Sequence, residues 1–304
     1  LRALATSGRS LLSGGLTAFD APDACMASAK NLPGYYFYGD AMFRGENREQ
    51  GAMISFYTGS DTGKVSVTFN DVDGNVVRTM QVNAKKGFNR FIWRFDRDPL
   101  PQLEYPSGQG QQQDPRARYF NRGFGGNVIP GNYTVNLSSG DGTSKTRVRV
   151  NHDPRMDAPD SVALRKNYAR ARVFGSQIES LNALLLPIAK VRESLAKSEK
   201  LINEDHGFAA AVGEEYKAVK EELAKIDEAF GRRQDGLSGR IGGYRVLLSA
   251  AGPLTEQEEK TVADAGAALD EAQKLAEALT SGSWKRYVDK LRQATISGDA
   301  VVLK

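Results

Sequence analysis

The chain has 304 residues, of which 40% are hydrophobic and 26% charged, with a formal net charge of +4. This is a globular composition with room for two ordinary domains, which excludes a largely disordered chain. The positive balance is too small to imply nucleic acid, and no apolar run reaches the roughly eighteen residues of a membrane-spanning helix.

The charge is unevenly distributed. Residues 1–150 carry a balance of +5 and the remainder −1, which predicts two halves of different character. The chain opens on Leu1 with no basic-then-apolar leader, so a processed product or an excerpt of a longer polypeptide is expected. Cys25 is the only cysteine. An intrachain disulfide and a thiolate cluster are thereby ruled out, while a cytoplasmic or an extracytoplasmic home both stay open.

Residues 1–50 are rich in Gly, Ser and Ala, show no sustained period, and read as a connector; "NLPGYYFYGD" within it suggests a turn and a short aromatic strand. From residue 51 the pattern has period two, the mark of half-buried strands. "KVSVTFNDVDGNVVRTMQV" predicts a hairpin with Val65, Val67 and Phe69 inward, turning at Gly74. In "KKGFNRFIWRFDRDPLP" the side chains of Phe91, Trp93 and Phe95 fall on one face and Arg90, Ile92 and Arg94 on the other. That arrangement favours a core over an aromatic ligand platform, because the alternating arginines mark a solvated face. Residues 98–129 form a long Pro/Gln/Gly loop, and loops of that length are usually functional or mobile. Its Gly108–Asp114 part is expected to be mobile, with Tyr119, Phe120, Phe124 and Ile129 anchoring the second half. "PGNYTVNLSSGDGTSKTRVRVN" predicts a further hairpin with Tyr133, Val135 and Leu137 inward. Six or seven short antiparallel strands then make residues 51–152 an Ig-like β-sandwich.

Residues 153–304 change to helical period. Ala171, Phe174, Ile178, Leu181, Leu185, Ile188, Leu195 and Ile202 follow steps of three and four, a seam that misses only at Arg192 and Glu199. Pro187 interrupts it and predicts a kink. A second helix carries Val212, Tyr216, Val219, Leu223, Ile226 and Phe230 on one stripe, and a third holds Leu237, Ile241, Tyr244 and Leu248. Thr255 and Glu258 form a capping box opening a fourth, and a fifth begins near Ser283 and Trp284. The expected fold class is thus α+β multidomain, an antiparallel Ig-like β-sandwich followed by an antiparallel helical bundle.

Motifs for chemistry are scarce. His152 and His206 lie far apart, so no histidine pair has metal-ligand spacing. "DVDGN" at 71–75 lacks the later acidic ligand of a calcium loop and reads as a hairpin turn. No Gly-x-Ser-x-Gly occurs, Cys25 has no nearby histidine, and "GFGGN" fits neither phosphate-loop pattern. Glu214–Glu215, Glu221–Glu222 and Glu258–Glu259 read as solvated helix faces rather than a glycosidase pair. "DPRARYFNRGFGG" could clamp a nucleic-acid strand, but a basic loop tip against a neighbouring domain is the simpler reading. No catalytic, cofactor-binding or metal-ligating residue is assigned, and the chain is expected not to be an enzyme.

"GAMISFY", "VSVTFNDVDGNVVRTMQV", "KGFNRFIWRF", "IPGNYTVNL" and "VNHDPR" together resemble the C-terminal portion of bacterial sortilin-type, BNR-repeat β-propeller proteins, often labelled glycosyl-hydrolase-like. "GRIGGYRVLLSAAGPLTEQEEKTV" resembles that family's tail more loosely. Gly87, Asn89, Arg90, Trp93, Pro130, Gly131, Tyr133, Asp153, Pro154 and Arg155 match as scaffold, and none of the matched motifs is catalytic. The resemblance implies an Ig-like module and helices following a propeller, in a secreted, periplasmic or cell-surface protein. It implies an accessory portion that positions the upstream propeller and contacts protein partners. The alternatives are a fragment of a propeller-type glycoside hydrolase, with residues 98–129 completing its cleft, and a structural subunit of an envelope assembly.

Overall fold

The computed structural model describes residues 15–27, 49–61, 63–105, 125–140, 142–231 and 235–297. The aromatic run within 28–48, the Gln-rich stretch Gly108–Asp114 and the expected anchors Tyr119, Phe120 and Phe124 lie outside them. The chain divides into two compact units, one of residues 1–99 with 125–165 and the other of residues 100–124 with 166–304.

The first unit contains β1 (Leu16–Ala18), β2 (Ala24–Met26), β3 (Ala52–Thr58), β4 (Gly63–Asn70), β5 (Val76–Ala84), β6 (Gly87–Trp93), β7 (Gly131–Ser139) and β8 (Gly142–His152). They form a three-stranded sheet in the order β1-β3-β6 and a five-stranded sheet in the order β2-β8-β7-β4-β5. Period two explains the core directly. Val65, Val67 and Phe69 of β4 and Val135 and Leu137 of β7 are fully buried, and so are Ile54 and Phe56 of β3. All belong to one apolar cluster with Trp93. The turn of the β4–β5 hairpin is closed by Asp71, whose Oδ1 accepts from the backbone N–H of Asp73 and Asn75 at 3.0 and 2.8 Å. Gly74 sits there at φ +84°, where a side chain would strain the backbone.

This arrangement corrects the expected architecture. The five-stranded sheet is mixed, because β2 lies parallel to β8 with Ala24 opposite Val150 and Met26 opposite His152, while the three-stranded sheet is antiparallel throughout. β1 and β2 come from residues 1–50, whose three-residue strands are too short to display a period. A parallel partner requires a long crossover, and the whole sequence between residues 26 and 142 supplies it. Nor do helices simply follow strands, since Leu100–Tyr105 lie between β6 and β7 in sequence and pack with the helices. The Ig-like sandwich followed by an antiparallel bundle is therefore not the fold of this chain.

The helices are α1 (Ser161–Leu185), α2 (Ile188–Glu204), α3 (His206–Gly231), α4 (Leu237–Gly242), α5 (Val246–Ser249), α6 (Glu256–Glu277) and α7 (Trp284–Ser297). A 3-10 turn at Gly243–Arg245 joins α4 to α5, and a π turn at Ala278–Ser283 joins α6 to α7. Aspartates start two of them: Asp160 Oδ1 accepts from Val162 and Ala163, and Asp205 Oδ1 from Gly207 and Phe208. The stripe from Val212 to Phe230 is buried throughout, as is Ala171, Ile178, Leu181, Leu185, Ile188 and Leu195 of the seam. Pro187 ends a helix rather than bending one. α1 stops at Leu185 and α2 restarts at Ile188, because the proline ring lacks an N–H and crowds the carbonyl four residues earlier.

Candidate interaction site in the helical unit

Leu100–Tyr105, sequence LPQLEY, has no regular secondary structure, yet it is anchored along its whole length by side chains of the helical unit. Asn182 on α1 holds its backbone with both ends of one amide. Asn182 Nδ2 donates to Gln102 O at 2.7 Å, and Asn182 Oδ1 accepts from Glu104 N at 2.9 Å. This grip reads main chain rather than side chain, and it satisfies two backbone groups that a half-buried irregular segment would otherwise leave unpaired.

Side chains fix the register. Pro101 lies over Gly175 of α1, where an added Cβ would stand 3.1 Å from the proline Cδ. Gly175 thus forms a notch that admits the ring. Leu100 and Leu103 pack against the apolar core of the helices, and Tyr105 lies flat on Phe230 of α3 with ring centroids 4.4 Å apart and planes 8° from parallel. The phenol of Tyr105 donates to Asp227 of α3, and Arg192 of α2 donates to the phenol oxygen at 3.0 Å. Arg192 closes the triangle by pairing with both carboxylate oxygens of Asp227.

The electrostatics follow from this geometry. Burial first, and then the hydrogen bond and negative charge of Asp227, push the Tyr105 phenol well above its ordinary pKa. Burial alone would raise Asp227, but hydrogen bonds from Arg192 and Tyr105 outweigh it and hold the carboxyl below the usual range. The phenol therefore stays a donor and the carboxylate an acceptor across neutral pH. Two donors in this region, Gln102 Nε2 and Arg192 Nε, are buried without a hydrogen-bond partner among the described residues.

The aromatic stretch of the first unit splits by strand face. Trp93 is 1% exposed, stacks on Phe69 at 4.2 Å and donates from Nε1 to Asp96 O at 2.9 Å. Phe91 packs against the same core. Phe88 points the other way and is 57% exposed, stacked on Phe19 at 5.9 Å with its edge toward Tyr57. Phe95 reaches the core from a backbone at φ +63°, held by Val128 N donating to Phe95 O at 2.8 Å. Beside this kink Met26, Glu49, Arg94, Phe95 and Asn127 border an open cleft of about 570 Å³.

Several of the residues that sequence patterns singled out for chemistry have structural partners. Glu258 closes the capping box with Thr255, Glu259 pairs with Arg170 at 2.8 Å, and Glu222 accepts from Ser283. Cys25 is exposed and donates to His152 O at 3.4 Å, a distance allowed by its sulfur. Among the described residues no three His, Cys, Asp or Glu side chains converge as a metal site. The sequence did not single out Tyr105, Asn182 or Asp227. It did mark Arg192, as a break in an otherwise apolar seam, and the break is the position that carries the cation to Tyr105. The chain was compared with known protein families and with curated proteins, and it matches none of them.

Proposed function

We propose that this chain is a non-catalytic interaction portion of a larger extracytoplasmic protein, one that positions a neighbouring propeller and contacts protein partners. The observation that carries the reading is the capture of Leu100–Tyr105: the helices recognise a segment by its main chain, its proline and its terminal tyrosine, the chemistry of binding rather than of turnover. The resemblance of the strand motifs to sortilin-type proteins supports the upstream propeller and the extracytoplasmic setting. Leu100–Tyr105, within the loop that would complete a hydrolase cleft, is engaged with helices, which favours binding over cleft completion. No helix of the described residues is long and apolar enough to cross a membrane.

The test is turnover against association. The purified chain should hydrolyse model glycosides at the background rate, while the polypeptide that carries it should lose partner association when residues 1–304 are removed. Turnover by the isolated chain that disappears on changing one carboxylate defeats the proposal.

A further inference from the structure

We infer that the groove holding Leu100–Tyr105 is a peptide-binding site whose resident strap is a replaceable ligand in cis, and that its ligand in trans is a partner protein's Leu-Pro-φ-Leu-x-Tyr segment, φ being apolar. The inference rests on the interaction reading above and names the partner chemistry of that site.

Each position of the pattern is read from a contact. The second must be proline or something equally flat, because Gly175 leaves room for a ring and a Cβ at that glycine would press on it at 3.1 Å. Leucines at the first and fourth positions meet the apolar core of the helices. The sixth must be tyrosine, since its ring stacks on Phe230 and its hydroxyl is shared by Asp227 and Arg192. The fifth carries an exposed glutamate that contributes its N–H and no side-chain contact to the grip of Asn182, so its side chain is free to vary.

The third position decides between cis and trans. Gln102 buries its amide nitrogen with no hydrogen-bond partner among the described residues. An unsatisfied buried donor weakens binding by roughly tenfold or more relative to an apolar group of the same shape. The resident strap is therefore a poor occupant at one of its six positions and keeps its place through tethering, which supplies a local concentration on the order of millimolar. A second copy of this chain would bring the same glutamine without that tether, so it gains nothing over the strap. A partner segment with methionine or leucine in place of the glutamine does gain.

The experiment uses the full chain with the strap loosened by Leu103→Ala and Tyr105→Ala. Two fluorescein-labelled synthetic peptides serve as probes, Leu-Pro-Gln-Leu-Glu-Tyr and Leu-Pro-Met-Leu-Glu-Tyr, titrated by fluorescence anisotropy. The loosened chain should bind both, the methionine peptide about tenfold more tightly. Adding Asn182→Ala should weaken both at least tenfold, and the unaltered chain should bind them far more weakly because its strap is in place. Equal affinity for the two peptides, indifference to Asn182→Ala, or no binding by a loosened chain of full helical circular dichroism each overturns the inference. Should the loosened chain lose helical signal, the methionine peptide must restore it, and failure to do so overturns the inference equally. Such a failure leaves the broader interaction role standing if association with a partner survives; glycoside turnover by the isolated chain would sink that role whatever the peptides do.

Discussion

Trp93 makes three kinds of contact that no smaller side chain reproduces: a stack on Phe69, edge contacts to Phe95 and Tyr133, and a hydrogen bond to Asp96 O that ties down the strained backbone after β6. Truncation to Ala removes all three and leaves a cavity that a two-sheet core closes only in part. We expect Trp93→Ala to destabilise the first unit by ~3–5 kcal/mol in urea denaturation. Single Trp→Phe variants separate its fluorescence from that of Trp284, and a blue, poorly quenched Trp93 is the expected result; a red, freely quenched one would return the aromatic row to the surface. Gly51 allows close approach to the backbone of the same residue. Its φ is +139°, and an added Cβ would lie 2.5 Å from Trp93 O, so the backbone just before β3 can approach the end of β6 only without a side chain. The inward placement of Trp93 was legible in the alternation of Phe91, Trp93 and Phe95 with arginines. The left-handed turn at Phe95 was not, because nothing in a phenylalanine announces positive φ.

At the scale of elements, α6 and the strap show two ways in which polar side chains hold an apolar frame. Thr255 accepts from Glu258 N at 3.3 Å while Glu258 Oε2 accepts from Thr255 N at 2.8 Å, satisfying two of the donors that open α6. Thr255→Ala should therefore cost about 1 kcal/mol of helical-unit stability, read from thermal unfolding by circular dichroism. The strap depends instead on the charge of Asp227. Its carboxyl titrates lower in the folded chain than in the unfolded one, so its contribution is present above the unfolded value near 3.9 and is lost as pH falls through the folded value. Asp227→Asn should lower the urea midpoint at pH 6, and the gap from the unaltered chain should begin to narrow below about pH 4 and shrink further as pH falls. A gap constant down to pH 2 would show that the charge is immaterial. The helices themselves were readable from period: every predicted position from Val212 to Phe230 is buried. The strap was not, because Leu100, Leu103 and Tyr105 are separated by one step of three and one of two, which sustains neither period, and their partner Asn182 looks like any polar helix residue. The two breaks in the seam were informative after all, with Arg192 reaching Tyr105 and Asp227 and Glu199 pairing with Lys220 at 2.7 Å.

For the whole molecule, order in sequence is a poor guide to order in space. The chain passes between its two units after residues 99, 124 and 165, and β2 joins a sheet whose partner strand lies more than a hundred residues later. Local patterns identify strands and helices, but they carry no information on such distant pairings, which depend on the total apolar surface each arrangement buries. What results is two cores with no residue in common: one runs from Leu16 through Trp93 to Val150, the other from Ala171 through Ile226 to Leu291. Each unit therefore has an apolar core of its own, and each should unfold by its own equilibrium. Differential scanning calorimetry should then show two transitions. Trp93→Ala should lower one of them and leave the other in place, while Thr255→Ala should do the reverse by a few degrees, the shift expected for about 1 kcal/mol in a unit of this size. A single transition moved by both substitutions would mean that the units stand or fall together, and that a core on each side is insufficient to make either one independent.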